Sequence, residues 1–177
     1  MTETKNNKTK NKKSVSHVNR GLDLEKIVSK QCEKYIKQGK GYIFKLHTEF
    51  IVRRGAGGKV IGCVPKTKSL TDFFGVLTTG EAIAIEVKNT NNKTSFPLSN
   101  IKNHQFIFLA EWNKYTPHSY YIIRFKVHNE IYLVHSSKIQ EYKDLNTRKS
   151  IPYNWFKENA NLLDGCDFLK PLKTIIV

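Results

Sequence analysis

The stretch from Leu70 to Gln105 constrains the fold more than any other part of the chain. Two runs rich in aliphatic and aromatic residues, Asp72 to Leu77 and Ala82 to Val87, flank Thr78-Thr79-Gly80-Glu81, the pattern of a strand, a tight turn and a second strand. With the turn centred on Thr79, Asp72 falls opposite Glu86. Alternate side chains of a strand share a face, so Ala82, Ala84, Glu86 and Lys88 point one way and Ile83, Ile85 and Val87 the other. The aliphatic face is expected in the core and the Glu-Lys face at a site. Opposed residues of an antiparallel pair have Cα atoms roughly 4.5–5.5 Å apart, and like charges placed there destabilise the sheet unless something neutralises them. A divalent cation does so. Carboxylate oxygens suit Mg²⁺, which keeps several waters and takes one or two carboxylates from the protein, the rest coming from substrate phosphate. Lys88 is then placed to hold or polarise an attacking water, or to stabilise charge at a phosphate. Taken alone, Glu-x-Lys in a strand also describes an ordinary solvated face.

Charge names the class of partner. Over 177 residues, 30 Lys and Arg stand against 15 Asp and Glu, a formal net charge of +15. Residues 1 to 18 carry Lys5, Lys8, Lys10, Lys12 and Lys13 against Glu3, a net of +4, which leaves +11 on the rest. The body is itself basic and points to a polyanion, although excess lysine also serves plain solubility. Cys32, Cys63 and Cys166 are odd in number and have no Cys-x-x-Cys spacing, so they read as reduced thiols of a cytoplasmic protein rather than a zinc site. No apolar run approaches membrane-helix length, and no membrane partner is expected.

Residues 1 to 18 are polar and Lys/Asn-rich, a disordered basic tail; residues 19 to 177 are expected to form one domain. Gly21 to Gln38 reads as an amphipathic helix with Leu24, Ile27, Val28 and Tyr35 on its apolar stripe, Asn19 as a cap, and Gly39 and Gly41 ending the run. Glu25 sits at the border of that stripe, where it either reaches a cleft or simply complements the helix dipole. Tyr42 to His47 reads as a strand, and Glu49 to Val64 as a hairpin around Gly55-Ala56-Gly57-Gly58. Its glycines lack a following Gly-Lys-Ser/Thr and helix, so they are no phosphate loop. Ser99 is expected to cap a helix through Trp112, with Ile101, Gln105, Phe108, Leu109 and Trp112 on one face. Ser119 to Val127 and Ile131 to His135 form a second hairpin; Ser136 or Ser137 then caps a short helix, Pro152 to Asn159 is another, and the apolar end from Phe168 packs on the body or a partner.

The words Leu70-Thr71-Asp72-Phe73-Phe74-Gly75, Ile85-Glu86-Val87-Lys88-Asn89-Thr90, Asn92-Lys93-Thr94-Ser95-Phe96-Pro97-Leu98 and His104-Gln105, with Asn19-Arg20-Gly21-Leu22-Asp23-Leu24-Glu25 before them, resemble the RecU family of Holliday junction resolvases in the same chain order. The resemblance covers Arg20 to roughly Ser136; Thr71 replaces the first residue of the usual Pro-Asp pair. It implies an α/β fold with a restriction-endonuclease-like core, a mixed β-sheet flanked by helices, and a β-hairpin stalk over about 48–68. It implies a homodimer that uses Mg²⁺, or Mn²⁺ in its place, to nick two strands of like polarity at a four-way DNA junction. By the same resemblance Asp72 and Glu86 hold the metal, Lys88 acts at water or phosphate, and Glu25 and Gln105 assist. A buried glutamine bonded to backbone is the other reading of Gln105. DNA contacts are then expected from Arg20, from Arg53, Arg54, Lys59, Lys66 and Lys68 on the stalk, and from Lys93 and Thr94. The alternatives are a less selective endonuclease of the same superfamily and a noncatalytic protein that binds branched DNA. The implied location is the cytoplasm of a bacterium, or of the host for a phage-encoded chain.

Overall fold

The structure, a computed structural model, describes residues 19–66 and 69–174. The basic stretch 1–18, Lys68 and the side chain of Arg20 lie outside the described residues. In chain order the elements are α1 (Asn19–Lys37), β1 (Gly41–Lys45), β2 (Phe50–Arg54), β3 (Val60–Pro65), β4 (Phe73–Leu77), β5 (Ala82–Thr90), β6 (Ser95–Pro97), α2 (Asn103–Trp112), β7 (Ser119–Phe125), β8 (Glu130–His135), α3 (Ser136–Leu145), β9 (Ser150–Pro152), α4 (Tyr153–Asn159) and β10 (Asn161–Leu162).

Six strands form one sheet in the order β1-β4-β5-β7-β8-β10. Neighbours are antiparallel except β5 and β7, which run parallel. A parallel pair needs a long crossover, and β6 with α2 supplies it. α1 covers one face of the sheet: Leu24, Val28, Cys32 and Tyr35 pack with Ile43, Phe73, Ile83, Ile85 and Ile122. Phe168, Leu169 and Leu172 join this cluster, so the apolar C-terminal segment packs on the body as its composition suggests. Gly39, at φ 63°, takes the left-handed conformation that ends α1. On the other face Ala84, Tyr121, Ile123 and Phe125 meet Phe106 and Leu109 of α2, Ile139 of α3 and Phe156 of α4.

Burial of β5 on both faces departs from the expectation of one core face and one open face. The reason is α2, which lies over the Glu86 side. That helix also starts later than expected: Leu98–Asn100 form a 3-10 turn, Ile101 is extended, and Lys102 occupies the cap position instead of Ser99. Likewise α3 is capped by His135, whose imidazole nitrogen accepts from the Ser137 N–H, rather than by a serine.

β2 and β3 pair with each other in a separate two-stranded sheet, with a bulge between Arg53 and Arg54 and positive φ at Gly57 and Gly58 in the connecting loop. All five residues of β2 are exposed, including Phe50, Ile51 and Val52.

Gly75 of β4 sits opposite Ile43 of the edge strand β1, where a Cβ would lie 2.1 Å from the Tyr42 carbonyl oxygen and 2.6 Å from the Ile43 Cα. Both are backbone atoms and cannot swing aside. Gly75→Ala is therefore expected to push β1 off β4 and to destabilise the protein by about 1–3 kcal/mol or more, the cost of overpacking, read as a lower urea midpoint. A midpoint equal to that of the unmodified protein would show that β1 yields freely.

Candidate active site

The ladder between β4 and β5 pairs Phe73 with Ile85, Phe74 with Ala84 and Gly75 with Ile83, a register centred on Thr79 as the turn suggested. Asp72 stands one residue before that ladder and Glu86 one residue beyond it, so the two carboxylates meet at the open end of the hairpin. Asp72 Oδ2 accepts a hydrogen bond from the Val87 N–H at 2.8 Å. Thr71 fixes the same end: its buried hydroxyl donates to the Ile85 carbonyl at 2.8 Å, a bond no proline could make.

Glu86 is fully buried. Its Oε1 accepts from Lys88 Nζ and from Gln105 Nε2, while its Oε2 is buried without a hydrogen-bond partner among the described residues. Burial first, and the charge of Asp72 second, push the Glu86 carboxyl up to about 8 against the pull of Lys88. An orphaned carboxylate oxygen beside a second carboxylate is a costly arrangement with no cation present. It also matches the hard-oxygen donor set of a small divalent cation. Among the described residues no group of three or more His, Cys, Asp and Glu gathers at ligand distance, so any such ion would take two carboxylates here.

α2 delivers Gln105 to this carboxylate. The Gln105 Oε1 accepts from the Lys102 backbone N–H at 2.9 Å, which turns its amide nitrogen toward Glu86. The backbone bond of the simpler reading is present, and the other end of the amide reaches the site. Glu25 projects from α1 and accepts from Lys45 Nζ at 2.6 Å. It lines a cleft of about 520 Å³ with Lys88, Asn89, Asn100, Lys102 and Lys126. Tyr121, beside Glu86 across the parallel ladder, carries a second buried, unpartnered oxygen; burial and the Glu86 charge raise its phenol far above the ordinary range, so it is neutral. Lys102, Lys126 and Tyr121 escaped the sequence reading, because nothing in their local words separates them from surface lysines or a core tyrosine.

The basic residues assigned to the hairpin stand apart from this cleft. Arg53, Arg54, Lys59 and Lys66 are exposed on β2, β3 and their ends. Arg54 Nη1 donates to the Gly58 carbonyl at 3.0 Å, and Lys66 pairs with Glu49 at 2.9 Å. Lys93 and Thr94 are exposed in the loop after β5, where the Lys93 carbonyl accepts from His128 and the Thr94 carbonyl from the Tyr153 N–H.

The model of the family described as Recombination protein U, RecU, matches residues 19–172, from the first turn of α1 to the C-terminal core segment. The chain belongs to the RecU family. Its relatives include the Holliday junction resolvase RecU of Bacillus cytotoxicus, 32% identical over 164 residues that make up 88% of this chain and 81% of that protein. The Staphylococcus aureus protein of the same name is 32% identical over 93% of this chain and 85% of its own length. That of Oceanobacillus iheyensis is 29% identical over 82% and 78%. The mixed sheet with helices on both faces agrees with the restriction-endonuclease-like α/β fold expected of a RecU protein. Among the described residues no helix is long and apolar enough to cross a membrane.

Proposed function

We propose that this RecU protein is a Mg²⁺-dependent endonuclease that resolves Holliday junctions by nicking phosphodiesters in branched DNA, with Mn²⁺ able to replace Mg²⁺. The observation that carries the reading is the pairing of Asp72 with Glu86, whose Oε2 is buried and unpartnered, beside a cleft walled by Lys88, Lys102 and Lys126. Asp72 and Glu86 are the residues that would hold the ion. When bound, it supplies Lewis acidity at a phosphoryl oxygen. Lys88 holds Glu86 from the solvent side and presents a cation toward the phosphate or the attacking water. Gln105 keeps the Glu86 carboxylate turned by its own bond to the Lys102 backbone. Glu25, tied to Lys45, borders the cleft from α1 and supplements the acidic pair.

Junction choice follows from shape. A homodimer presents two sites related by a two-fold axis, which suits the symmetry of a four-way junction and permits paired nicks. The exposed hairpin of β2 and β3, with Arg53, Arg54, Lys59 and Lys66 and with Lys68 after it, acts as the stalk that enters the junction; Arg20, Lys93 and Thr94 hold backbone phosphates. The protein works in the cytoplasm. The test is cleavage of a labelled four-way junction beside a linear duplex of the same sequence, with Mg²⁺ or with EDTA. Symmetric, metal-dependent nicks on the junction alone are expected. Cutting of both substrates would make it a general endonuclease, and tight binding without cutting a noncatalytic binder.

A further inference from the structure

β6 and β9 form a short ribbon outside the main sheet, which pairs Ser95 with Pro152, Phe96 with Ile151 and Pro97 with Ser150. Residues paired across an antiparallel ladder share a face, and successive pairs alternate between the two faces. Phe96 and Ile151 are both fully buried and mark the core face. Pro97 and Ser150 therefore share the outer one. That face belongs to the cleft, because Pro97 lines it together with Ser99, Asn100 and Lys102. The Cα atoms of such a pair are roughly 4.5–5.5 Å apart, so Ser150 stands at the edge of the cleft.

Arg148, exposed in the segment between α3 and β9, is held to this face. Its Nε–H donates to the Ser150 hydroxyl oxygen at 3.3 Å, which leaves the Nη donors for another acceptor. Among the described residues the Arg148 side chain forms no ion pair. Both oxygens of Asp144, the acid nearest to it in sequence, accept from Gln140 Nε2, at 2.8 and 2.9 Å. The backbone around Arg148 is anchored. The Lys149 carbonyl accepts from the Leu98 N–H at 3.0 Å, the Ser150 carbonyl from the Tyr142 hydroxyl at 3.2 Å, and the Tyr142 carbonyl from Asn146 Nδ2 at 2.9 Å. A planar guanidinium matches the oxygens of a phosphate in pairs, and one carried on a fixed backbone loses little freedom in gripping it.

We infer that Arg148 is a phosphate clamp at the rim of the cleft, which grips a nonscissile backbone phosphate of the strand lying past Pro97 and Ser99 and so sets where that strand runs relative to Asp72 and Glu86. The inference rests on the reading that DNA is the substrate. Arg148 binds the strand and takes no part in the chemistry.

The test pairs Arg148→Gln and Arg148→Lys with four-way junctions that carry one uncharged methylphosphonate at a time along the strand expected to be cut. Binding of Mg²⁺-free protein is measured by anisotropy at several salt concentrations. At one position flanking the scissile phosphate the unmodified protein should lose affinity on the order of tenfold, the worth of a charged hydrogen-bonded contact. Arg148→Gln should be indifferent to that position and respond to the others as the unmodified protein does. Its salt slope should be shallower by about 0.9, an affinity that falls about 3.5-fold less over a fourfold rise in salt. Arg148→Lys should keep the original slope and regain only part of the positional sensitivity, because an ammonium lacks the fork. The comparison is between positions on the DNA within one protein, so a general loss of stability in a variant does not imitate it. The same factor at every position for unmodified and Arg148→Gln protein, or an unaltered salt slope in Arg148→Gln, would overturn the clamp. If the unmodified protein cuts nothing with Mg²⁺ while the positional coupling is present, the nuclease reading fails and the clamp stands.

Discussion

Asp72→Asn is expected to lower junction cleavage by at least about 10³-fold, on the order of 4 kcal/mol of lost transition-state stabilisation, while junction binding stays within a few-fold. Asparagine keeps the size of the side chain and an oxygen able to accept from the Val87 N–H, the bond that anchors Asp72 to β5. The backbone that aligns the site is therefore retained, as is the Thr71 bond to Ile85. What is lost is one of two negative charges facing the position a divalent cation would take, and with it much of the affinity for that cation. Binding of DNA depends instead on lysines and arginines across the body, which this change leaves in place. Single-turnover cleavage and anisotropy on the same junction check the two halves. Mg²⁺-dependent cleavage within tenfold of the unmodified protein would remove Asp72 from the site.

The register that makes this prediction possible was readable because two signals coincide in one short stretch. Alternation assigned the faces of β5, and a turn centred on Thr79 set Asp72 against Glu86, a pairing internal to a hairpin and independent of the rest of the fold. Contacts that depend on distant chain were not readable. The part Thr71 plays is one of these, because only the folded hairpin places the Ile85 carbonyl beside its hydroxyl. Gln105 gained its second partner only because α2 folds over β5. The cap of that helix also lies three residues beyond the expected Ser99, at Lys102, since a 3-10 turn and the extended Ile101 carry a polar and apolar pattern much like that of a first helical turn. The hairpin of β2 and β3 was readable from its glycine-rich turn, a signal as local as that of the β4–β5 hairpin.

Metal-free protein should lose stability as pH rises from about 5 to about 8, and Mg²⁺ should restore it most at the alkaline end of that window. Glu86 has a folded-state value of about 8 against an ordinary 4.5. Between those values the native state keeps a proton that the unfolded chain has released, so unfolding is increasingly favoured as pH rises, by up to about 1.4 kcal/mol per unit. Above about 8 both states are ionised and the slope flattens. A cation bound by Asp72 and Glu86 requires the ionised pair, so at lower pH it must displace the Glu86 proton, which weakens its apparent affinity by about tenfold per unit. Thermal unfolding followed by circular dichroism, in EDTA and in saturating Mg²⁺, should therefore give midpoints that diverge with rising pH. Glu86→Gln removes the titrating group and should flatten the EDTA curve in this window and abolish the divergence. An EDTA curve for the unmodified protein that is flat or rises from about pH 5 to about pH 8 would mean that Glu86 is already ionised in the empty site, its charge held by Lys88 and Gln105 alone.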